Sequence, residues 1–306
     1  MEARSIHVHK SGRWGHSFRK VGAHDAGMHW TPLPPEQRDA FDRDGFLIVR
    51  DAIDAGTIAR LIAAGDRLVA SDRVADRQRN NDRYDGFRNA VALDPVLEPV
   101  LTWGATVPLI AQLMGPHLQL HTSHLIWKHA DPEGTPDAHR DPGWHRDVAT
   151  LTRDIPDARM PRVEIKVMYY LTPCAAPCHG QTRFVPGSHR TPFRPDGSDP
   201  PGAIEPLLHA GDAVLFENRT LHAAGPNRSG RTRKTLVFGY SHRWMRPDDY
   251  LVQPDALLAR LDPVARALVD ATGLNHAANG AFRPCGEASA FERLAEAHGC
   301  TAAACQ

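Results

Sequence analysis

The sequence predicts a mainly β protein with flanking helices, its core a sandwich or jelly roll. Three observations carry that expectation. Between positions 118 and 242 the apolar residues fall into short segments, "LQLHTSHLIWK", "VEIKVMYYLT", "TRFVPGSH", "AVLFE" and "TLVFGYSH", whose length and β-branched or aromatic content suit strands. Pro- and Gly-rich connections separate them, and 25 prolines in the chain punctuate loops and exclude long helices. Helical signals are confined to the two ends.

Taken in order, residues 1–31 are polar and lack periodicity, as expected of an arm over the fold. Pro34 to Gly45 puts prolines at a helix start and a glycine after its end. "FLIVR" follows as a strand, and then Asp54 is placed to cap a helix whose Ile58, Leu61, Ile62, Leu68 and Val69 share one face. "DRVADRQRNNDRYD", with arginines interleaved among aspartates, reads as a solvated loop. After the β segments, Asp262 and Pro263 open a helix that the pattern closes at Gly273. The expected organisation is one domain over 1–306, with an arm (1–31), a helical flank (32–114), the β core (115–246), and helices with a tail (247–306).

Composition narrows the partners. Lys+Arg and Asp+Glu both number 36, so no whole-molecule field favours nucleic acid or an anionic membrane, and a small-molecule partner is expected. The first residues lack the apolar stretch of a signal peptide and no run is long enough to span a bilayer, which makes the expected location cytoplasmic. Five scattered cysteines do not form a disulfide framework.

The chemistry begins at "GWHRDVAT", Gly143 to Thr150. Side chains two apart on an extended segment point the same way, so His145 and Asp147 can share a metal while Arg146 points elsewhere. Two histidines and one carboxylate on one face of an octahedron hold iron(II) in oxygenases and leave three positions open. The second histidine is supplied by "GDAVLFENRTLH": His222, 75 residues after Asp147, where a short apolar strand gives way to a Gly-Pro-Asn turn. Eleven residues further, Arg233 offers a planar guanidinium that can grip a carboxylate bidentately, as a dicarboxylate cosubstrate requires.

These segments, in this order, resemble the phytanoyl-CoA dioxygenase family of iron(II)/2-oxoglutarate-dependent oxygenases. The resemblance runs from "FDRDGFLIVRDAID" through "WHRD" and "GQTRFVPGSHR" to "LHAAGPNRSGRTRKTLVFGY". It implies a double-stranded β-helix of the jelly-roll or cupin-like kind. It also implies Fe(II) on His145, Asp147 and His222, 2-oxoglutarate chelating the metal with Arg233 on its distal carboxylate, and O2 as oxidant. The strand from Thr122 to Lys128 would then face the cavity, with Thr122, His124, Ile126 and Lys128 on one side as contacts to cosubstrate or substrate. Lys166 reads equally as a cavity cation or an outward-facing residue. Relatives often carry a hydroxyl two residues after the distal histidine, where this chain has Ala224.

The implied reaction is hydroxylation of an unactivated C–H bond of a small metabolite with release of succinate and CO2. Desaturation, ring closure and epimerisation use the same oxidant, and a non-catalytic metal- or 2-oxoglutarate-binding protein is the alternative from another class. Asp147 stands where halogenating relatives lack a carboxylate. No Lys/Arg cluster suits a nucleotide phosphate, which favours a smaller substrate than an acyl-CoA. His189 reads as a turn residue and His139 as a solvated loop residue, while His242 and Trp244 read equally as pocket wall or as packing.

Overall fold

The computed structural model describes residues 28–71, 77–79 (backbone only), 84–135, 143–148, 151, 154, 160–191, 198–270 and 288–300. The expected arm as far as residue 27, His139 and most of the tail lie outside these residues. From Met28 the chain already packs on the body: Thr31 Oγ1 donates to the Gly104 carbonyl at 2.6 Å, and Trp30 joins the core.

Among the described residues, nine strands form two sheets. The larger is antiparallel and seven-stranded, in the order β1 (Phe46–Val49), β7 (Ala213–Glu217), β5 (Glu164–Tyr170), β9 (Arg233–His242), β4 (Leu118–Lys128), β3 (Tyr84–Arg88), β2 (Arg77–Arg79). The smaller pairs β6 (Thr182–Phe184) with β8 (His222–Ala224) and is extended by bridges at His145 and Ile204. The two sheets, with helices around them, make the mainly β, jelly-roll architecture that the sequence predicts.

Alternation along the central strands divides the chain's apolar residues into two layers. Val167, Tyr169, Leu236, Phe238 and Tyr240 face outward into a core built with α2 (Ala55–Ala70) and α3 (Val107–Met114). Met168, Tyr170, Val214, Phe216 and Val237 face inward, between the sheets. The inner face carries the polar residues discussed below.

The local signals behave as their chemistry dictates. Helix α1 (Pro35–Asp44) ends at Gly45, whose φ of 81° is the left-handed conformation that a helix stop requires. Asp54 caps α2, accepting from the Thr57 amide at 2.9 Å. Past the sheets come α4 (Asp255–Leu258), α5 (Pro263–Val269) and α6 (Ala290–Ala297). Asp262 accepts from the Val264 and Ala265 amides to open α5, which ends at Val269, short of the glycine at 273. Helix α6 opens with a capping box of Ser289 and Glu292.

The stretch expected as a solvated loop is different. Arg77–Arg79 pairs with Tyr84–Arg88 and so extends the large sheet, with positions 72–76 and 80–83 outside the described residues. The reason is β3, whose Phe87 is fully buried and whose Gly86 admits His124 and Tyr84 where a Cβ would lie 2.9 Å from each. Charge interleaving hid that strand. Among the described residues no single helix is long and apolar enough to cross a membrane.

Phe238 is fully buried in the outer layer of β9, so Phe238→Ala is expected to lower unfolding free energy by about 3–5 kcal/mol. Trp244, 71% exposed, should change it by under about 0.5 kcal/mol on truncation to Ala. Urea midpoints with unchanged m-values check both.

Candidate functional site

His145 and His222 come from segments far apart in the chain, and a reciprocal backbone pair joins them. The His145 amide donates to the His222 carbonyl at 2.9 Å, and the His222 amide to the His145 carbonyl at 3.0 Å. Their rings lie 4.3 Å apart between centroids. His222 is buried beside Phe216 and Phe184, while His145 is the more open of the two.

In each imidazole Nδ1 donates to a backbone carbonyl, Gly143 for His145 at 2.7 Å and Thr220 for His222 at 2.9 Å. A carbonyl only accepts, so Nδ1 carries the proton and Nε2 the lone pair in the neutral ring. Both Nε2 atoms face Asp147: His222 Nε2 is 3.6 Å from Oδ2 and His145 Nε2 is 4.0 Å from Oδ1. One donor atom from each residue lies within 4.8 Å of the others, the one such His/Cys/Asp/Glu group found among the described residues.

The donors fit a divalent metal on three observations. Asp147 Oδ2 is buried with no hydrogen-bond partner. Burial pushes the His222 imidazole down to about 4, against the pull of Asp147, so it is neutral and able to ligate near pH 7. Burial disfavours the Asp147 anion, but the Lys166 ammonium, 2.7 Å from Oδ1, together with the two histidines holds it well below the usual carboxylate range. Lys166 therefore faces inward, one of the two orientations the sequence allowed. It occupies one Asp147 oxygen and leaves the other for the cluster.

Arg146 points away, as the alternation predicts, and has a task there. Its Nε donates to the Arg219 carbonyl at 2.8 Å and its Nη2 to the Ser188 and Thr191 carbonyls at 2.9 and 3.1 Å. Ser188 Oγ in turn accepts from the Leu221 amide at 2.8 Å. The two ligand segments are thus pinned to one turn. On the other flank, Trp144 Nε1 donates to Asp199 at 3.0 Å under the Arg183 guanidinium. His189 sits in that turn, its Nε2 3.1 Å from the Asp42 carbonyl, in the structural role expected for it.

Arg233 is buried at the start of β9, opposite Lys128 in the β4 register. One Nη donates to the Gly180 carbonyl at 3.0 Å, and its Nε is buried without a partner. Tyr170 and Cys174 adjoin it, and burial raises the Cys174 thiol to about 11. The register places Thr122, His124, Ile126 and Lys128 on one side of β4, as expected. Only Lys128 is opposite Arg233. Thr122 and His124 lie further along, where Thr122 Oγ1 donates to Asp249 at 2.6 Å and His124 Nε2 is buried without a partner. Ala224 is exposed at the end of β8 and offers no hydroxyl.

Sequence reading missed Glu164, His121 and Tyr170. Alternation from Lys166 along β5 reaches Glu164 and Tyr170, but His121 comes inward through a bulge between Leu120 and Thr122 that has no sequence mark.

The comparisons with known proteins agree with this geometry. Residues 41–235 match the family model described as phytanoyl-CoA dioxygenase (PhyH). The chain is 28% identical over 248 residues to an ectoine dioxygenase of Sphingopyxis alaskensis, covering 69% of this chain and 78% of the relative. It is 26% identical over 257 residues to the iron/alpha-ketoglutarate-dependent dioxygenase ausO of Aspergillus calidoustus, covering 78% and 83%. Among solved structures it resembles HygX of Streptomyces hygroscopicus with nickel, 2-oxoglutarate and hygromycin B bound (TM-score 0.55, 17% identity, 68% of this chain and 87% of that one). The epimerase SnoN in complex with Fe3+, alpha ketoglutarate and nogalamycin RO is similar too (TM-score 0.54, 23% identity, 67% and 82%).

Burial lowers the His124 pKa from 6.5 to about 4, with Arg88 adding to the effect. Below pH 6.5 the unfolded chain therefore takes up a proton that the folded one refuses. Stability falls as pH drops from 6.5 towards 4, by up to about 3 kcal/mol from this residue. His124→Gln should show a shallower acid decline than the wild type in urea titrations between pH 7.5 and 5. Parallel declines would contradict the assignment.

Proposed function

The chain belongs to the phytanoyl-CoA dioxygenase family of iron(II)/2-oxoglutarate-dependent oxygenases, and on that footing we propose that it hydroxylates an unactivated C–H bond of a small metabolite, releasing succinate and CO2. His145, Asp147 and His222 are the proposed iron ligands, and Arg233 the proposed anchor of the distal 2-oxoglutarate carboxylate. One observation supports the metal reading most: two outward-tied histidines turn their Nε2 atoms towards Asp147, whose Oδ2, 3.6 Å from His222 Nε2, is buried and without a hydrogen-bond partner.

The residues divide the work. The Gly143 and Thr220 carbonyls fix the imidazole tautomers, and Lys166 keeps Asp147 ionised with one oxygen turned to the cluster. Arg233, with Lys128 opposite, supplies positive charge where a dicarboxylate would end. The Gly180 carbonyl fixes the guanidinium plane and leaves its Nε to donate. Phe184, Phe216 and Phe46 pack behind His222 and keep water from that side of the cluster. Bound iron supplies the redox chemistry, coupling dioxygen and 2-oxoglutarate decarboxylation to removal of a hydrogen atom from the substrate.

The missing hydroxyl at Ala224 leaves the cosubstrate carboxylate more dependent on Arg233. Arg233→Met is expected to raise the KM for 2-oxoglutarate at least tenfold with a smaller change in metal affinity. Asp147→Ala should abolish both succinate release and the weak visible band of the anaerobic iron(II)–2-oxoglutarate chelate. Full activity in Asp147→Ala would sink the assignment. A wild-type protein that forms the chelate but releases no succinate with any metabolite would establish the non-catalytic alternative.

A further inference from the structure

Strand β5 acts as a ruler across the inner face. Its inward residues are Glu164, Lys166, Met168 and Tyr170, spaced by the two-residue strand repeat of about 6–7 Å. Tyr170 lies at the Arg233 end, and Lys166 touches Asp147 at 2.7 Å. A cosubstrate reaching from the metal cluster to Arg233 lies over the Met168–Tyr170 half. Glu164 is one step beyond the cluster in the other direction, on the side left for a substrate.

That side holds polar groups without partners. Glu164 is 1% exposed and its Oε1 has none, while Oε2 is 3.9 Å from a Lys166 ammonium already committed to Asp147. His121 is 3% exposed with an unpartnered Nδ1, and its Nε2 is 3.6 Å from Asp248. The neighbouring Asp249 is, by contrast, fully engaged by Arg88, Thr122 and the Asn89 and Ser123 amides. Gly239 makes room for the arrangement: a Cβ there would lie 2.4 Å from Glu164 Oε1 and 2.7 Å from Thr122 Cγ2. Unsatisfied groups of this kind, on the inner wall of a site and beside a bulge that re-aims a histidine, call for a ligand that donates hydrogen bonds.

We propose that Glu164, with His121 beside it, anchors the substrate by accepting an N–H or O–H hydrogen bond from a small polar molecule, a protonated amine or a hydroxyl group. A hydrocarbon or acyl chain would leave both residues unsatisfied. This rests on the reading of His145, Asp147, His222 and Arg233 given above, and it places the oxidised carbon several bonds from the anchored donor.

The test uses the full-length protein with Fe(II) and 2-oxoglutarate, measuring succinate released together with oxidised product. The panel holds primary-amine metabolites, their N-acetylated counterparts, polyols, and fatty acyl thioesters of similar length. Coupled turnover confined to amine or hydroxyl compounds supports the proposal. Loss on N-acetylation identifies the charged amine as the donor, and retention identifies a neutral donor, a hydroxyl or the remaining amide N–H. Glu164→Gln should raise the KM for that substrate at least tenfold with a smaller change in kcat, while Mn(II) and 2-oxoglutarate dissociation constants stay within twofold of wild type. Coupled oxidation of an acyl thioester, or an unchanged KM in Glu164→Gln, overturns it. So does weakened Mn(II) binding in a folded Glu164→Gln protein, which would place Glu164 in support of Lys166 and Asp147. If that variant does not fold, the wild-type panel decides alone. Failure of the wild type to bind Mn(II) and 2-oxoglutarate would strike the metal reading instead, and is visible before any substrate is added.

Discussion

The paired hydrogen bonds between the His145 and His222 backbones hold together everything the site does. They join a connection that belongs to no regular strand to the short strand β8, and so bring the two imidazole Nε2 atoms to 3.6 and 4.0 Å from Asp147 oxygens. A backbone pair of this kind sets where the Cα atoms sit but not where the side chains aim. Aim comes from the Gly143 and Thr220 carbonyls behind the rings and from Lys166 on the far oxygen of Asp147. Arg146 then fastens the outer side of the same connection to the 188–191 turn. Each interaction is ordinary in strength, and their joint effect is a carboxylate faced by two ring nitrogens, with His222 Nε2 beside the oxygen that has no hydrogen-bond partner.

The large sheet converts this point into a site with direction. Alternation puts Arg233 and Lys128 together at one end of the inner face, Lys166 in the middle, and Glu164 with His121 at the other. Positive charge thus sits where a dicarboxylate would end. Beyond the cluster, one ammonium serves two carboxylates, with Asp147 at 2.7 Å and Glu164 at 3.9 Å. Burial pushes the Glu164 carboxyl up to about 7, Lys166 pulling against that rise and Asp147 adding to it. A carboxyl poised there gains from any donor that reaches it, which a wall of aliphatic residues would not.

Much of this was legible in the sequence because it rests on spacing. His-x-Asp on an extended segment needs only alternation to be read, and Arg233 at the opening of an apolar strand needs only the charge to be noticed. Boundaries of β4 and β7 follow from composition alone. What could not be read depends on partners distant in the chain. Arg146 had only a direction until the carbonyls of 188, 191 and 219 were placed around it. Lys166 was balanced between two faces because "VEIKVMYYL" is apolar on both, as a strand covered on either side must be. His121 turns inward at a bulge, and Gly239 is bare because Glu164 on another strand needs the space. Strand β3 was hidden by the charged residues of its sequence around a single buried phenylalanine.

Every role assigned in the site depends on where the metal goes. A structure of the protein crystallised anaerobically with Mn(II) and 2-oxoglutarate tests this most directly. It should show the ion bonded to His145 Nε2, Asp147 Oδ2 and His222 Nε2, Lys166 still on Asp147 Oδ1, and the distal carboxylate of 2-oxoglutarate on the Arg233 guanidinium. An ion held without Asp147, or a cosubstrate lying towards Glu164 instead of Arg233, would contradict it.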